Sequence, residues 1–333
     1  EVAGLSLSTG GGDAVMDVEN AYVVFTAYSS NKNTNQSNGS MTLNFTNSIV
    51  ESNYKFEIGQ TKAGYDAEKA PEINLNVTDS VFTLKNFFVN NHAKGTVAID
   101  NSDFTATAFG NVGTFSAVNG SVVNFSLVNN ALNDWVGKGG LNAGTMTVDA
   151  STLNIANKGA TLEFYNVGEI TLANGAVFTL DRLVNAQANN LTGSGNINTT
   201  FADMTGNITI SGDSQLTVST LFTNDGTITV DAGSTITAAA ITNNGTITIN
   251  AKGYTGDTIK VIDLSQDTKL TGVKLTNASN KYYLTYGEDG DVILNKSPEY
   301  IYVSSDYNSS TEGYGYDKFS NYDSAVAFAN VII

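Results

Sequence analysis

The sequence predicts an all-β chain: a right-handed parallel β-helix (β-solenoid) with a C-terminal β-hairpin cap and a short helix at the extreme C-terminus. Three observations predict it. First, one phrase occurs twice. Thr223-Asn224-Asp225-Gly226-Thr227-Ile228-Thr229-Val230 returns about 19 residues later as Thr242-Asn243-Asn244-Gly245-Thr246-Ile247-Thr248-Ile249, and a fainter copy, Thr205-Gly206-Asn207-Ile208-Thr209-Ile210, precedes both. A unit this short cannot bury its own apolar face and must stack on its neighbours. Second, the unit alternates apolar and polar residues and breaks at Asn, Asp and Gly, which reads as strand then turn. Third, only 14% of the 333 residues are charged, well under the usual quarter, and 32 glycines against 2 prolines suit many tight turns without rigid linkers.

Upstream the same form recurs: Gly, polar, apolar, Thr, apolar, a short turn, then apolar residues at alternate positions. It is found at 39–45, 72–82, 95–104, 144–155 and 168–180. Alternate strand residues point inward, so Ile228, Val230, Ile236, Ile247 and Ile249 are expected to line the core. Asn and Gly recur where tight corners need left-handed backbone, and stacked Asn side chains can hydrogen-bond along the axis. At ~4.8 Å per coil, about 13–15 coils would make a rod of roughly 60–70 Å. The rhythm breaks at 28–39, at 55–70 and at 129–142, which holds Trp135. These read as loops leaving the coils, and function carried by the chain is expected there.

The pattern changes at Thr258. The runs 258–264, 272–275, 282–286 and 292–294, with Gly287-Glu288-Asp289-Gly290-Asp291 between the last two, predict antiparallel strands around a Gly/Asp turn. A final coil would leave an open sheet edge, so a hairpin cap is expected there. After Pro298, Tyr300-Ile301-Tyr302-Val303 reads as a strand and 304–318 as a Tyr/Gly/Ser loop. Tyr322, Ala325, Val326 and Ala329 then fall at helical intervals, with Asn321 as N-cap. The expected organisation is a β-helix over 1–257, terminal coils and capping hairpin over 258–297, and a linker with the start of a following domain over 298–333.

Composition excludes several functions. The formal net charge is −16 and Arg182 is the only arginine, so no basic face exists for nucleic acid or an anionic membrane. The absence of cysteine removes thiolate metal sites, a Cys nucleophile and disulfides, and leans towards export through a secretion pore. No apolar run approaches the ~20 residues of a transmembrane helix, so direct membrane insertion is not expected. Glu1-Val2-Ala3-Gly4 does not open a signal peptide.

The rungs at 243–249, followed by Gly253-Tyr254-Thr255-Gly256-Asp257 and Ile259-Lys260-Val261-Ile262-Asp263, resemble passenger domains of bacterial autotransporter adhesins. The resemblance is best over 205–295 and only compositional over 1–200. The tail Tyr316-Asp317-Lys318-Phe319-Ser320-Asn321-Tyr322-Asp323-Ser324-Ala325-Val326 looks like the N-terminal cap of a pectate-lyase-like β-helix. Such families imply a large, secreted, cell-surface protein with β-helical blocks in series, and carry no shared catalytic motif to transfer. The outer-membrane barrel typical of autotransporters is not in this sequence.

Candidate chemistry is sparse. His92 is the only histidine, so a Ser-His-Asp or His-metal site would need it; its setting before a rung reads as a surface turn. A β-helix lyase or hydrolase needs carboxylates clustered on one face with Lys or Arg nearby. Asp100 with Asp103, or Asp149 with Asp181 and Arg182, are the candidates, and isolated surface acids are the alternative. Residues 288–291 lack the spaced ligands of a calcium loop and read as a hairpin turn. Sequons at Asn44, Asn76, Asn190, Asn207 and Asn244 are expected by chance in a chain rich in Asn and Thr. Tyr300, Tyr302, Tyr307, Tyr314 and Tyr316 could form a binding surface or pack between domains. The expectation is therefore a non-catalytic adhesin or stalk segment at a bacterial cell surface, with no catalytic, cofactor or metal residues, meeting host glycans or proteins. The alternatives are a polysaccharide lyase or hydrolase and a phage tail-spike segment.

Overall fold

A computed structural model describes residues 13–26, 29–31, 39–54, 56–58, 72–85, 88–90, 94–127, 139–157, 162–188, 203–279 and 281–332. The chain winds into a parallel β-helix whose full coils carry three strands, one on each of three faces. The first face is an 11-stranded parallel sheet running from Ala14–Glu19 and Ser40–Thr46 to Thr246–Asn250 and Lys274–Thr276. The second begins at Tyr22–Phe25 and Ile49–Ser52. The third consists of short strands such as Phe88–Asn90, Phe109–Asn111 and Glu163–Asn166. Val177–Asn185 and Gln215–Asn224 run through the second and third faces together, with a register shift where they turn.

Among the described residues eleven rungs at ~4.8 Å span roughly 50 Å. Through the first nine coils insertions occur only at the ends of third-face strands, and the corner between the first and second faces holds two to four residues; in the tenth coil that corner holds 251–257. The three breaks read from sequence are narrower than expected, because Ser29–Asn31, Phe56–Ile58 and Gly139–Asn142 are third-face strands. The rest of those breaks, including Trp135, lies outside the described residues.

Stacking in register builds the core. On the first face Leu43, Leu75, Val97, Phe115, Met146, Ile170, Ile208, Ile228 and Ile247 sit on successive coils. All are buried, and the five inward residues expected from the repeat are each 0% exposed. Phenylalanine fills the first two thirds of the core, where Phe82 stacks on Phe104 (centroids 5.5 Å apart) and Phe109 on Phe125 (4.4 Å). From Ile208 onward β-branched residues largely replace it, and their stiff rotamers suit a regular strand stack.

The third face carries a buried polar spine. Asn111, Asn142, Asn166, Asn185, Asn224 and Asn243 stack in register. Each amide Nδ2 donates to the Oδ1 of the next at 2.7–2.8 Å. The first five are fully buried. Asn111, Asn142, Asn166 and Asn185 use their second N–H as well: Asn142 Nδ2 also reaches the carbonyls of Gly144 and Glu169. A buried amide is tolerated only when it is satisfied in this way.

The spine explains the repeated phrase. Asn224 is fully buried and Asn243 half-buried at the end of the spine, and Ile228 and Ile247 point into the core four residues later. The glycine between them is needed for a reason other than left-handed backbone, since neither Gly226 nor Gly245 has a positive φ. A Cβ on Gly245 would lie 2.1 Å from the carbonyl oxygen of Gly226, and one on Gly226 2.1 Å from that of Gly206. Glycine here lets successive coils close at the corner between the third and first faces. Left-handed backbone is instead used at the corner between the first and second faces, by Asn20, Asn47, Asp79, Asn101, Asn119, Ala150, Asn174 and Asp213.

The C-terminal end is capped by a hairpin. Thr258–Leu264 pairs in parallel with Thr235–Ala238 through its last residues and antiparallel with Val292–Lys296 through its first. Tyr282–Tyr286 completes the hairpin, so the last coil does not offer a free edge on this face. The helix Tyr322–Ile332 is N-capped by Asn321, whose Oδ1 accepts the Ser324 N–H at 2.9 Å. Its Phe328 ring lies against Tyr283, Tyr316 and Phe319. Among the described residues no helix is long and apolar enough to cross a membrane.

Candidate binding groove

The corner between the first and second faces is the most regular surface of the rod. Most turns place an Asn or Asp in left-handed backbone, which these residues tolerate, and follow it, in most coils, with a buried serine. The serine hydroxyl donates within its own coil, as Ser80 Oγ does to the Thr78 carbonyl at 2.7 Å. It also accepts an N–H from the preceding coil. Ser48, Ser80, Ser102 and Ser121 donate their N–H groups to the Oγ of Ser80, Ser102, Ser121 and Ser151 respectively. Ala176 interrupts this ladder, which resumes at Ser214 and Ser234.

With the serines inside, the corner amides face out. Asn47 Nδ2 donates to Asn20 Oδ1 and Asn101 Nδ2 to Asp79 Oδ1, both at 2.6 Å. Beside them the first outward residues of the second face stack as Tyr22, Ile49, Val81, Asp103 and Val122. Tyr22 is 64% exposed, Ile49 48% and Val81 41%, which makes a large apolar stripe along the axis. Two hollows lie along it. One of about 430 Å³ is lined by Asn20, Tyr22, Asn47, Ile49, Asp79 and Val81. The next, about 260 Å³, shares Asp79 and Val81 and continues to Asn101, Asp103 and Gly120. Together they form a furrow about 20 Å long, four coil steps of ~4.8 Å. Desolvation by its neighbours, then the Glu51 carboxylate, raises the Tyr22 phenol above its ordinary pKa, so it remains a neutral hydroxyl.

The acids singled out from sequence are held separately. Asp100 closes a first-face strand and accepts from Asn119 Nδ2 at 2.8 Å, whereas Asp103 opens the next strand and faces the furrow. Asp149 accepts from Asn174 Nδ2 at 2.7 Å on the first face. Asp181 and Arg182 lie where the second face turns into the third, and Arg182 stands 4.0 Å from Glu163. Glu163 also accepts the Tyr165 hydroxyl at 2.7 Å; burial and this carboxylate push the Tyr165 phenol well up. No group of three or more His, Cys, Asp or Glu able to hold a metal exists among the described residues. His92 and Asn190 lie outside them.

Residues 288–291 sit in the turn of the capping hairpin, where Gly290 takes a positive φ of 87°. Asp291 is a structural anchor: it accepts the Leu264 N–H at 2.7 Å and pairs with Lys260 at 2.8 Å. Tyr300, Tyr302, Tyr314 and Tyr316 are all substantially exposed, and Tyr316 also donates to the Lys296 carbonyl at 2.7 Å. Asn44 and Asn76 form an outward amide pair at 2.8 Å on the first face.

The chain matches no protein-family model, no curated protein and no solved structure. The furrow was not singled out from sequence. Its residues are spaced by whole coils of unequal length, and the signal that could have found it is the Asn/Asp-Ser pair before an apolar residue, as in Asn47-Ser48-Ile49 and Asp79-Ser80-Val81.

Proposed function

We propose that this chain is a non-catalytic module of a secreted bacterial cell-surface adhesin or stalk, a rigid rod that carries its ligand contacts on its sides. The observation that carries the reading is the division of the surface. Through the first nine coils every insertion flanks a third-face strand, and the opposite corner keeps its short turns and its furrow. That division suits a scaffold with one variable and one constant side. The internal Asn and Ser ladders support rigidity, since they tie each coil to the next as well as to itself. Of the acids a polysaccharide lyase or hydrolase would bring together, Asp100 and Asp149 are each engaged by a corner amide on separate coils of the first face, and Asp103 faces the furrow.

The test is direct. The labelled chain should bind immobilised matrix proteins, glycans or host cells saturably, while leaving a panel of polysaccharides uncleaved. Turnover of any polysaccharide that is lost on Asp103→Asn or Asp181→Asn would replace this reading with the enzymatic one.

A further inference from the structure

Resting on the adhesive reading, we infer that the furrow of Tyr22, Ile49, Val81 and Asp103 is a binding site for a linear hexose polymer without acidic groups, lying parallel to the rod axis. Shape gives the first argument. The two hollows share residues and run across four coil steps, so the site matches an extended chain and not a compact ligand. Chemistry gives the second. An exposed phenol ring and aliphatic side chains line the middle, and Asn20, Asn47, Asn101 and Asp79 line one edge. A pyranose presents the same combination, an apolar ring face edged by hydroxyls, and tyrosine offers such contacts at low entropic cost.

Charge gives the third argument. Residues 13–127 of the sequence carry eleven carboxylates against six lysines, and the residues lining the two hollows include Asp79 and Asp103 and no lysine. An anionic polymer would be repelled, and neutral or amino-substituted hexoses would not. An extended peptide is disfavoured for a different reason. Peptides commonly dock by adding a strand to a free sheet edge. Ile49–Ser52, Val81–Leu84 and Asp103–Ala106 are already paired to a coil on each side, so the furrow floor has no such edge.

The experiment is calorimetric titration of the whole chain with cellohexaose, chitohexaose and oligogalacturonate, beside Tyr22→Ala, Val81→Lys and the distant control Tyr302→Ala. The inference expects a neutral hexamer to bind and oligogalacturonate not to. Tyr22→Ala should weaken binding by about tenfold, as for one aromatic anchor, Val81→Lys should abolish it, and Tyr302→Ala should leave it unchanged. Tyr22 is 64% exposed, so its variant folds even if Val81→Lys does not. Preference for the acidic oligomer, binding indifferent to Tyr22, or no glycan binding would each overturn it. Adhesion to matrix proteins without glycan binding would sink this inference and leave the adhesive reading standing; adhesion to nothing would remove both.

Discussion

Replacing Asn166 by alanine tests the buried amide spine. Asn166 is fully buried; its Oδ1 accepts from Asn142 at 2.8 Å and its Nδ2 donates to Asn185 Oδ1 at 2.8 Å. The same nitrogen approaches the carbonyls of Gly168 and Asn207 at 3.2 and 3.3 Å. After truncation Asn142 keeps its two carbonyl contacts. Asn185 Oδ1 loses the one donor it has among the described residues and stays buried, and each orphaned buried polar atom costs about 1–3 kcal/mol. Adding the cavity of a deleted amide, the substitution should cost about 2–4 kcal/mol. Urea unfolding followed by circular dichroism measures this, with Asn154→Ala as the comparison. Asn154 donates to Asn124 at 2.9 Å on the outside of the second face, where water replaces the partner, so its loss should stay under about 0.5 kcal/mol. Equal effects of the two substitutions would refute the argument that burial makes the spine matter.

Other consequences can be checked in the same way. Gly245→Ala would put a Cβ 2.1 Å from the Gly226 carbonyl oxygen; the coils must part, and a loss of about 2–3 kcal/mol is expected in the same unfolding assay. Ala150 is an exposed residue held at φ 47°. Ala150→Asn should stabilise by about 1 kcal/mol by relieving left-handed strain, seen as a higher unfolding midpoint. At Asp291, burial works to raise the pKa, but the Leu264 N–H and the Lys260 ammonium overcome it and the net shift from 3.8 is downward. A lowered folded pKa stabilises in full above the ordinary carboxylate range, and that contribution is lost as pH falls through the folded value. Unfolding compared at about pH 6 and about pH 2 should therefore show a loss that Asp291→Asn reduces.

Much of the fold was legible because it is written locally. Ile228, Val230, Ile247 and Ile249 alternate within single strands, the Gly-Glu-Asp-Gly-Asp turn marks the hairpin, and Asn321 stands three residues before the N–H it caps. The third face escaped notice because its strands are only three or four residues long and show one inward apolar residue before the Asn, as in Phe109-Gly110-Asn111. An alternation that short cannot be told from a turn, and Asn224 and Asn243 accordingly read as corner residues. The described residues hold eleven rungs on the first face, and the spacing between rungs is unequal, so a count from chain length alone does not give their number.

The sequence by itself determined that strands must stack, since a repeat of about 19 residues has an apolar face it cannot bury alone. It also determined the alternating core and the need for a cap. Only the tertiary structure decided which asparagines are spine, which glycines are points of contact between coils, and which outward residues line up as a furrow. Those roles depend on partners one coil away, and the spine partners are separated by 19 to 39 residues of chain. Side chains in register across unequal coils meet only after the winding has absorbed the insertions between them, so no local pattern in the chain could assign them.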